Sequence, residues 1–430
     1  MRLNYSFYLA AEVECDRSLI EVERPLVWID DYPGCEALPN HCELFGMEYV
    51  CSEPIQNATA GAVCESGTKM LCVVEPAVTL AAPQPANVLK IITYNIFGLR
   101  YTSTQAGQRE RTCRVVFRTL ETTPDVDVIV FNELFMGGCF GDSDKLELRE
   151  LLDYNGFKYT ATVGENGCLS KQPPEVDNGG VAIASRWPIL TENEKIFESY
   201  FNFTDWILQC KGVMYAKIQK TVDSKRRSYH IFATHMMPFT WEESDKIRVD
   251  QANEIYEFMK EMNIPDNEAV IYAGDFNANA IGNPDNAMDV LTAMRATQPK
   301  LIGMYNYTFD GIGNDLKLNA NGTDFRWLDY IVYSDEHLLP DVKTGFSTVE
   351  VLRVRDEEFE VCRRSPHKRY AYPNTEDCTF TDRIGDVSDH YAVRGVLYYQ
   401  KCEVGAGARL SKHIMLTFGL FILTAAVNGI

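Results

Sequence analysis

Six apolar, β-branched segments of this 430-residue chain each run into an acid, an amide or an imidazole. Ile91-Ile92-Thr93-Tyr94 leads to Asn95, Val128-Ile129-Val130-Phe131 to Asn132-Glu133, and Ile231-Phe232-Ala233-Thr234 to His235. Val270-Ile271-Tyr272-Ala273-Gly274 leads to Asp275-Phe276-Asn277, Asp329 lies in Trp327-Leu328-Asp329-Tyr330-Ile331, and Ser388-Asp389-His390 opens a last apolar run. One polar residue at a strand end is usually a turn former. Six such places fit strand ends gathered along one sheet edge, where a rigid scaffold holds a site. Glu133 with Asn95 offers hard oxygen ligands suited to Mg²⁺, with Mn²⁺ as a substitute; such an ion keeps several waters and binds few protein groups. If Asp389 or another buried carboxylate accepts from the His390 ring, the other ring nitrogen is free to take a proton from water. His235 and the amide of Asn277 can donate to a phosphoryl oxygen as charge builds. The sequence has no phosphate-binding P-loop and no G-x-S-x-G elbow, which removes support for nucleotide-driven transfer and serine acyl transfer. Metal-assisted phosphodiester hydrolysis by water uses every one of these groups.

The elements that must position them follow from hydrophobic period. Strands are expected at Val88–Ile96, Val126–Phe131, Gly180–Ser185, Ser228–Thr234, Ala269–Ala273, Trp327–Tyr333 and His390–Leu397. Cys113, Val116, Phe117 and Leu120 recur at i, i+3, i+4, i+7, as do Ala252, Ile255, Tyr256 and Met259, so both sets predict helices. Alternating strands and helices imply an α/β domain over 88–400. A cysteine-rich module is expected over 1–80 and a linker, marked by Pro83 and Pro85, over 81–87.

The net charge of −20 repels a phosphate backbone, and the short basic groups at Lys225–Arg227 and Arg363–Arg364 form no groove, so a nucleic-acid partner is not expected. Thirteen cysteines, six within the first 72 residues and without a C-x-x-C pair, point to disulfides and away from zinc. N-x-S/T triplets at Asn4, Asn57, Asn202, Asn306 and Asn321 fit an extracytoplasmic glycoprotein. Met1–Ala11 makes only a poor signal peptide before Glu12. Ile414–Ile430 is free of charge over 17 residues. As a helix it would reach about 25 Å, short of a hydrocarbon core of roughly 30 Å. With Gly405-Ala406-Gly407 and a short polar spacer before it, segment 405–430 reads as a lipid-anchor (GPI-type) attachment signal or a membrane tail. The expected location is the cell surface or the extracellular space.

Taken in order, Thr93-Tyr94-Asn95-Ile96, Phe131-Asn132-Glu133, Thr234-His235, Gly274-Asp275-Phe276-Asn277, Leu328-Asp329-Tyr330-Ile331 and Ser388-Asp389-His390 resemble the endonuclease/exonuclease/phosphatase (DNase I-like) superfamily. Asn178–Ile189, Lys211-Gly212-Val213 and Asn263–Glu268 make the chain look most like the bacterial-type neutral sphingomyelinases within it. The resemblance runs from about Val88 to Val396. It implies a four-layer α-β-β-α sandwich and a Mg²⁺-dependent sphingomyelin phosphodiesterase that releases ceramide and phosphocholine. It implies Glu133 as metal ligand with Asn95 beside it, His390 as base, and His235 and Asn277 on the phosphate. Asp275 would orient the site near the metal, Asp389 would position an imidazole, and Asp329 would do the same for His235. Phospholipase C-like cleavage of glycerophospholipids and nuclease action are the alternatives.

The sequence departs from the bacterial pattern after His235, where Met236-Met237-Pro238-Phe239-Thr240-Trp241 is less polar. It also departs over Val351–Asp386, which carries Cys362, Tyr370, Tyr372 and Cys378 in place of an exposed aromatic hairpin. Phe239 and Trp241 are therefore the expected membrane contacts, and Phe201, Phe203 and Trp206 are expected in the core.

Overall fold

Side-chain alternation along two central strands sets the layers. The computed structural model describes residues 24–29, 42–43, 46–54, 68–99, 106–135, 148–163, 179–201, 210–316, 324–363 and 380–400. In β4 (Val88–Gly98), Leu89 and Ile91 enter one core while Ile92, Tyr94 and Ile96 enter another; in β5 (Val128–Leu134), Val130 and Phe131 divide in the same way. A strand with two apolar faces must be covered on both sides.

These strands lie in a seven-stranded sheet with β6 (Tyr159–Thr162), β7 (Ala182–Ser185), β13 (Lys300–Ile302), β17 (Thr348–Leu352) and β20 (Ala392–Tyr398), in the order β13-β17-β20-β4-β5-β7-β6. A six-stranded sheet contains β8 (Ile189–Ile196), β9 (Gly212–Val222), β10 (Lys225–His235), β11 (Ala269–Asp275), β12 (Ala296–Thr297) and β16 (Asp329–Ser334), in the order β12-β16-β11-β10-β9-β8. The first core holds Ile91 and Val130 with Ile231, Ala233 and Ile331 of the six-stranded sheet. Helices α3 (Glu242–Glu261) and α4 (Pro284–Ala293) add Ile255, Phe258, Met259 and Val290 to the same core. The second core packs Ile92, Tyr94 and Phe131 against α1 (Gln108–Thr122) and α2 (Leu148–Tyr154), through Val116, Phe117, Leu120 and Leu151. Helix, sheet, sheet, helix is the four-layer sandwich expected from the sequence.

Two hairpins complete the frame: β14 (Phe309–Asp310) with β15 (Phe325–Arg326), and β18 (Arg355–Arg363) with β19 (Phe380–Asp386). The cysteine-rich region contributes a three-stranded sheet of β1 (Leu26–Ile29), β3 (Thr68–Val74) and β2 (Met47–Pro54). Its Met47, Met70, Cys72 and Val74 belong to the second core. The expected linker is tied down close by, where Val78 N–H donates to Asn155 Oδ1 (2.8 Å) and Ala81 N–H to the Pro124 carbonyl (2.8 Å). The described residues up to Tyr399 accordingly form one unit. Cys42 and Cys72 are joined by a disulfide, a loop closure worth about 3–4 kcal/mol for this separation of 30 residues. Cys51, Cys113 and Cys210 are also disulfide-bonded.

Among the described residues no helix is long and apolar enough to cross a membrane. The leader-like start, the C-terminal apolar run, four of the five glycosylation triplets, Phe203, Trp206, Tyr370, Tyr372, Cys378 and the Cys362 side chain lie outside the described residues. Asn306, of the remaining triplet, is exposed.

At the pole away from the polar strand ends, Lys220 of β9 crosses to the facing sheet. Its ammonium donates to Asp127 (2.6 Å) and to the Val88 carbonyl (2.8 Å), with both side chains fully buried. Asp127 also accepts from Trp187 Nε1 (2.8 Å) and Lys90 N–H (2.9 Å). Removing one partner leaves a buried charge uncompensated. Lys220→Ala is expected to cost about 3–5 kcal/mol in urea unfolding, and a change near zero would show that this pair does not clamp the sheets.

Candidate active site

Register brings the polar strand ends together. β4 and β5 run parallel with Asn95 opposite Asn132; β10 and β11 run parallel with His235 opposite Asp275; β11 meets antiparallel β16 with Asp275 opposite Asp329. Gly274 permits the approach before Asp275, because a Cβ there would stand 1.9 Å from the Thr234 carbonyl oxygen. The seam between the sheets is carried by Asn132, which is fully buried. Its Oδ1 accepts from Asp275 N–H (3.1 Å) and its Nδ2 donates to the Thr234 carbonyl (2.9 Å).

Asn95 brackets two carboxylates. Its Nδ2 donates to Asp275 Oδ2 (3.0 Å), it hydrogen-bonds Glu133, and its Oδ1 is taken by Phe97 N–H (3.0 Å). The residue expected beside the metal is thus engaged in holding carboxylates. Glu133 has positive φ (56°), and its Oε2 is closed off without a hydrogen-bond partner among the described residues. Asp329 Oδ2 lies 2.8 Å from His390 Nδ1, which leaves Nε2 as the ring's other nitrogen. This corrects the expectation that Asp329 serves His235. The physical reason is that β16 and the start of β20 meet here through Thr308: Asp329 N–H donates to its hydroxyl (3.2 Å) and Tyr391 N–H to its carbonyl (2.7 Å). Among the described residues Asp389 hydrogen-bonds no imidazole, and its buried Oδ1 has no partner. His235 stands 3.6 Å from Asp275 Oδ2, beyond hydrogen-bond distance, with Nδ1 buried and unpartnered. Asn277, in the left-handed region (φ 53°), donates Nδ2 to the Met236 carbonyl (3.2 Å), while its N–H donates to Asp275 Oδ1 (2.9 Å).

A cavity of about 330 Å³ opens above His390 and Asn277. Phe239 and Trp241 form one wall, stacked at 4.8 Å and each about half exposed (49% and 51%). Buried Arg248 of α3 sets this loop by donating to the Met237 (2.9 Å) and Phe239 (2.8 Å) carbonyls. Phe201, expected in the core, is only half-buried and packs on Trp241 at 5.3 Å. Phe309 and Arg326 of the β14–β15 hairpin form another wall.

Sequence reasoning missed Arg111, Arg248, Thr308 and Arg326. Arg111 is buried and donates to the carbonyls of Ile96 (2.9 Å), Phe97 (2.7 Å) and Val387 (2.9 Å), joining the end of β4 to the approach to Asp389. No spacing rule flags an arginine on a helix face as buried. Arg326 sits in a two-residue strand, and Thr308 just before another, both too short for a periodic signal.

The electrostatics follow from crowding carboxylates out of water. Burial, then the charge of Asp389, pushes Glu133 from 4.5 up to about 7. Burial, then Asp329, pushes Asp275 from 3.8 up to about 6, and burial also raises Asp389. Burial alone would lower His390, but Asp329 opposite its ring, with Asp389 and Asp275, holds it well above its usual range. His235 is driven well below its usual range by burial, then by Lys211 and His390. Asp275, Asp329 and His390 place ligand atoms within 4.8 Å of one another. With the unpartnered oxygens of Glu133, Asp329 and Asp389, the site fits a hard divalent cation.

The model of the Endonuclease/Exonuclease/phosphatase family matches residues 92–390, the span that contains every one of these groups. The chain belongs to that family. Within it, the chain is similar to sphingomyelinase C of Bacillus cereus, 28% identical over 337 residues that cover 72% of this chain and 89% of the relative. It is also similar to the Staphylococcus aureus phospholipase C, 29% identical over 62% of this chain and 75% of that one. Among solved structures of the family, S. aureus beta toxin, a mutant with bound magnesium ions, superposes with a TM-score of 0.57 at 26% identity, covering 73% of this chain and 99% of the toxin. Sphingomyelinase C from Streptomyces griseocarneus shares the fold at a TM-score of 0.57 and 23% identity, with 72% and 99% covered.

The shifted groups set a pH dependence. Glu133 and Asp275 hold protons in the metal-free folded state that the unfolded chain releases, so their contribution to stability is lost as pH rises towards 6 and 7. His390, also raised, loses its contribution as pH climbs past its folded value, whereas His235 opposes folding only as pH falls below 6.5. Metal-free protein is therefore expected to melt at a lower temperature at about pH 8 than near pH 6.5, and Mg²⁺ is expected to raise Tm more at the higher pH. Calorimetry with chelator and with Mg²⁺ checks both signs.

Proposed function

We propose that this protein is a Mg²⁺-dependent phosphodiesterase that hydrolyses sphingomyelin to ceramide and phosphocholine. The observation that carries this reading is the Asp329–His390 pair, whose imidazole lines a cavity shared with Asn277, together with buried carboxylate oxygens of Glu133, Asp329 and Asp389 that have no hydrogen-bond partner among the described residues. Sphingomyelinase C relatives in more than one bacterial genus support the substrate class.

In the proposed reaction His390, held through Nδ1 by Asp329, accepts a proton at Nε2 from water as the water oxygen bonds to phosphorus. The bond from phosphorus to the ceramide oxygen breaks, and that oxygen gains a proton as ceramide leaves. Neutral His235 and the remaining amide hydrogen of Asn277 donate to the phosphoryl oxygens. Glu133 and Asp275 would hold the cation, braced by Asn95, which hydrogen-bonds both. When bound, the cation supplies charge that polarises a phosphoryl oxygen and offsets the carboxylates that keep His390 protonated. Phe239 and Trp241, exposed beside the cavity, would enter the membrane interface. The disulfides are consistent with work outside the cytoplasm.

A panel of sphingomyelin, phosphatidylcholine, lysolipids and DNA, each with Mg²⁺ and with chelator, tests the reading. Preference for sphingomyelin is expected; turnover of DNA or phosphatidylcholine in its place would replace the reading with nuclease or phospholipase C action. Glu133→Gln is expected to abolish Mg²⁺-dependent turnover in a folded protein, and His390→Ala to lower kcat by about 10²–10⁴. Phe239→Ala with Trp241→Ala is expected to weaken liposome binding, measured by sedimentation, and unchanged binding would remove these residues from the interface.

A further inference from the structure

The cavity has one feature that water attack on phosphorus does not require. Among its described lining residues Arg326 is the only permanently charged side chain, and it shares the cavity with His390 and Asn277. The surroundings are otherwise hostile to an anion: the protein carries a net charge of −20, and the carboxylates of Asp275 and Asp329 place oxygens within 4.8 Å of a ring nitrogen of His390. A phosphodiester must bring its negative charge into that field. A fixed cation on the wall reduces this cost.

Arg326 is built for such a contact. Its guanidinium carbon lies 5.3 Å from the centre of the Phe309 ring, and its Nε donates to Asp324 Oδ2 at 2.6 Å. These contacts fix the stem and one edge of the fork. Among the described residues neither Nη nitrogen has a hydrogen-bond partner. The backbone is fixed as firmly: Thr308 N–H donates to the Arg326 carbonyl (2.8 Å), and the same threonine accepts from Leu328 N–H (2.9 Å) and Asp329 N–H (3.2 Å). Phe309, opposite Arg326 in the hairpin, also bridges His390 in the strand ladder. Thr308 thus ties Arg326 to Asp329, and Phe309 ties it to His390.

We propose that Arg326 is a substrate-binding residue whose Nη groups take a non-bridging oxygen of the phosphate, selecting the anionic half of the headgroup. This rests on the phosphodiesterase reading of the cavity, and it names a binding contact made by this chain's own side chain.

The test is equilibrium binding by titration calorimetry of the full chain with Mg²⁺, using inorganic phosphate and phosphocholine as separate probes. Arg326→Ala is expected to weaken both by roughly ten- to hundredfold, the worth of a charge-assisted hydrogen bond. Arg326→Lys, which keeps the charge but not the fork, is expected to recover part of the loss. Unchanged Tm in both variants separates lost binding from lost fold, as expected for a side chain about one-third exposed. The proposal is overturned if Arg326→Ala binds both probes as the parent does, if it loses phosphocholine alone, or if the parent binds neither probe. If Arg326 proves necessary for phosphate but the parent cleaves no sphingomyelin, the arginine contact stands and the lipid reading falls.

Discussion

The site depends on a single buried amide at the meeting of two sheets. Asn132 has no water to turn to, so both ends of its side chain must be satisfied by protein. It takes the Asp275 N–H from one facing strand and gives to the Thr234 carbonyl of the next. Those partners immediately precede or carry two of the reacting groups, because Thr234 leads to His235 and Asp275 is itself in the site. The apolar interior between the sheets would tolerate small slips; the amide does not. Asn95 repeats the device one strand away, where it joins Glu133 to Asp275. Sheet register and site geometry are therefore one constraint.

That constraint holds together groups that repel one another. Four buried or half-buried carboxylates around one imidazole would separate in solution. Here the sandwich core holds them in place, and the proton affinities of Glu133, Asp275, Asp389 and the His390 ring rise in response. Arg111 contributes from behind: it donates to the backbone carbonyls of Ile96, Phe97, Ala106 and Val387, and its charge lowers the proton affinity of Asp389. A centre assembled in this way is primed for a cation, because a divalent ion relieves the repulsion that folding has imposed.

The layers were legible because their strands obey simple alternation or run fully apolar, as Ile91–Tyr94 and Val270–Ala273 do. The long strand Gly212–Val222 was not read, since Lys217 and Lys220 interrupt its apolar pattern; Lys220 faces inward only because Asp127 meets it there. The polar strand ends were visible as residue types, and the structure brings Asn95, Glu133, Asp275, Asp329 and His390 into one neighbourhood. Which acid faces which ring was not visible, because pairing depends on how β16 and β20 approach through Thr308. The N-terminal strands were read as a cysteine-rich module because cysteine density shifts at residue 80; the sequence did not show that their Met47 and Met70 pack into the core beneath α1.

Phe97 and Glu133 at the site ends of β4 and β5, and Phe239 and Asn277 in the cavity wall, have φ between 51° and 77°, a region that costs a residue with a Cβ roughly 1 kcal/mol or more. Asparagine bears that cost easily; phenylalanine and glutamate do not. The rim is thus locally frustrated, and the surrounding sandwich must subsidise it. Glycine at either phenylalanine would relax the backbone while deleting the ring that justifies the strain. Stabilising drift in this lineage should therefore accumulate in the helices and the far pole and leave these four positions alone.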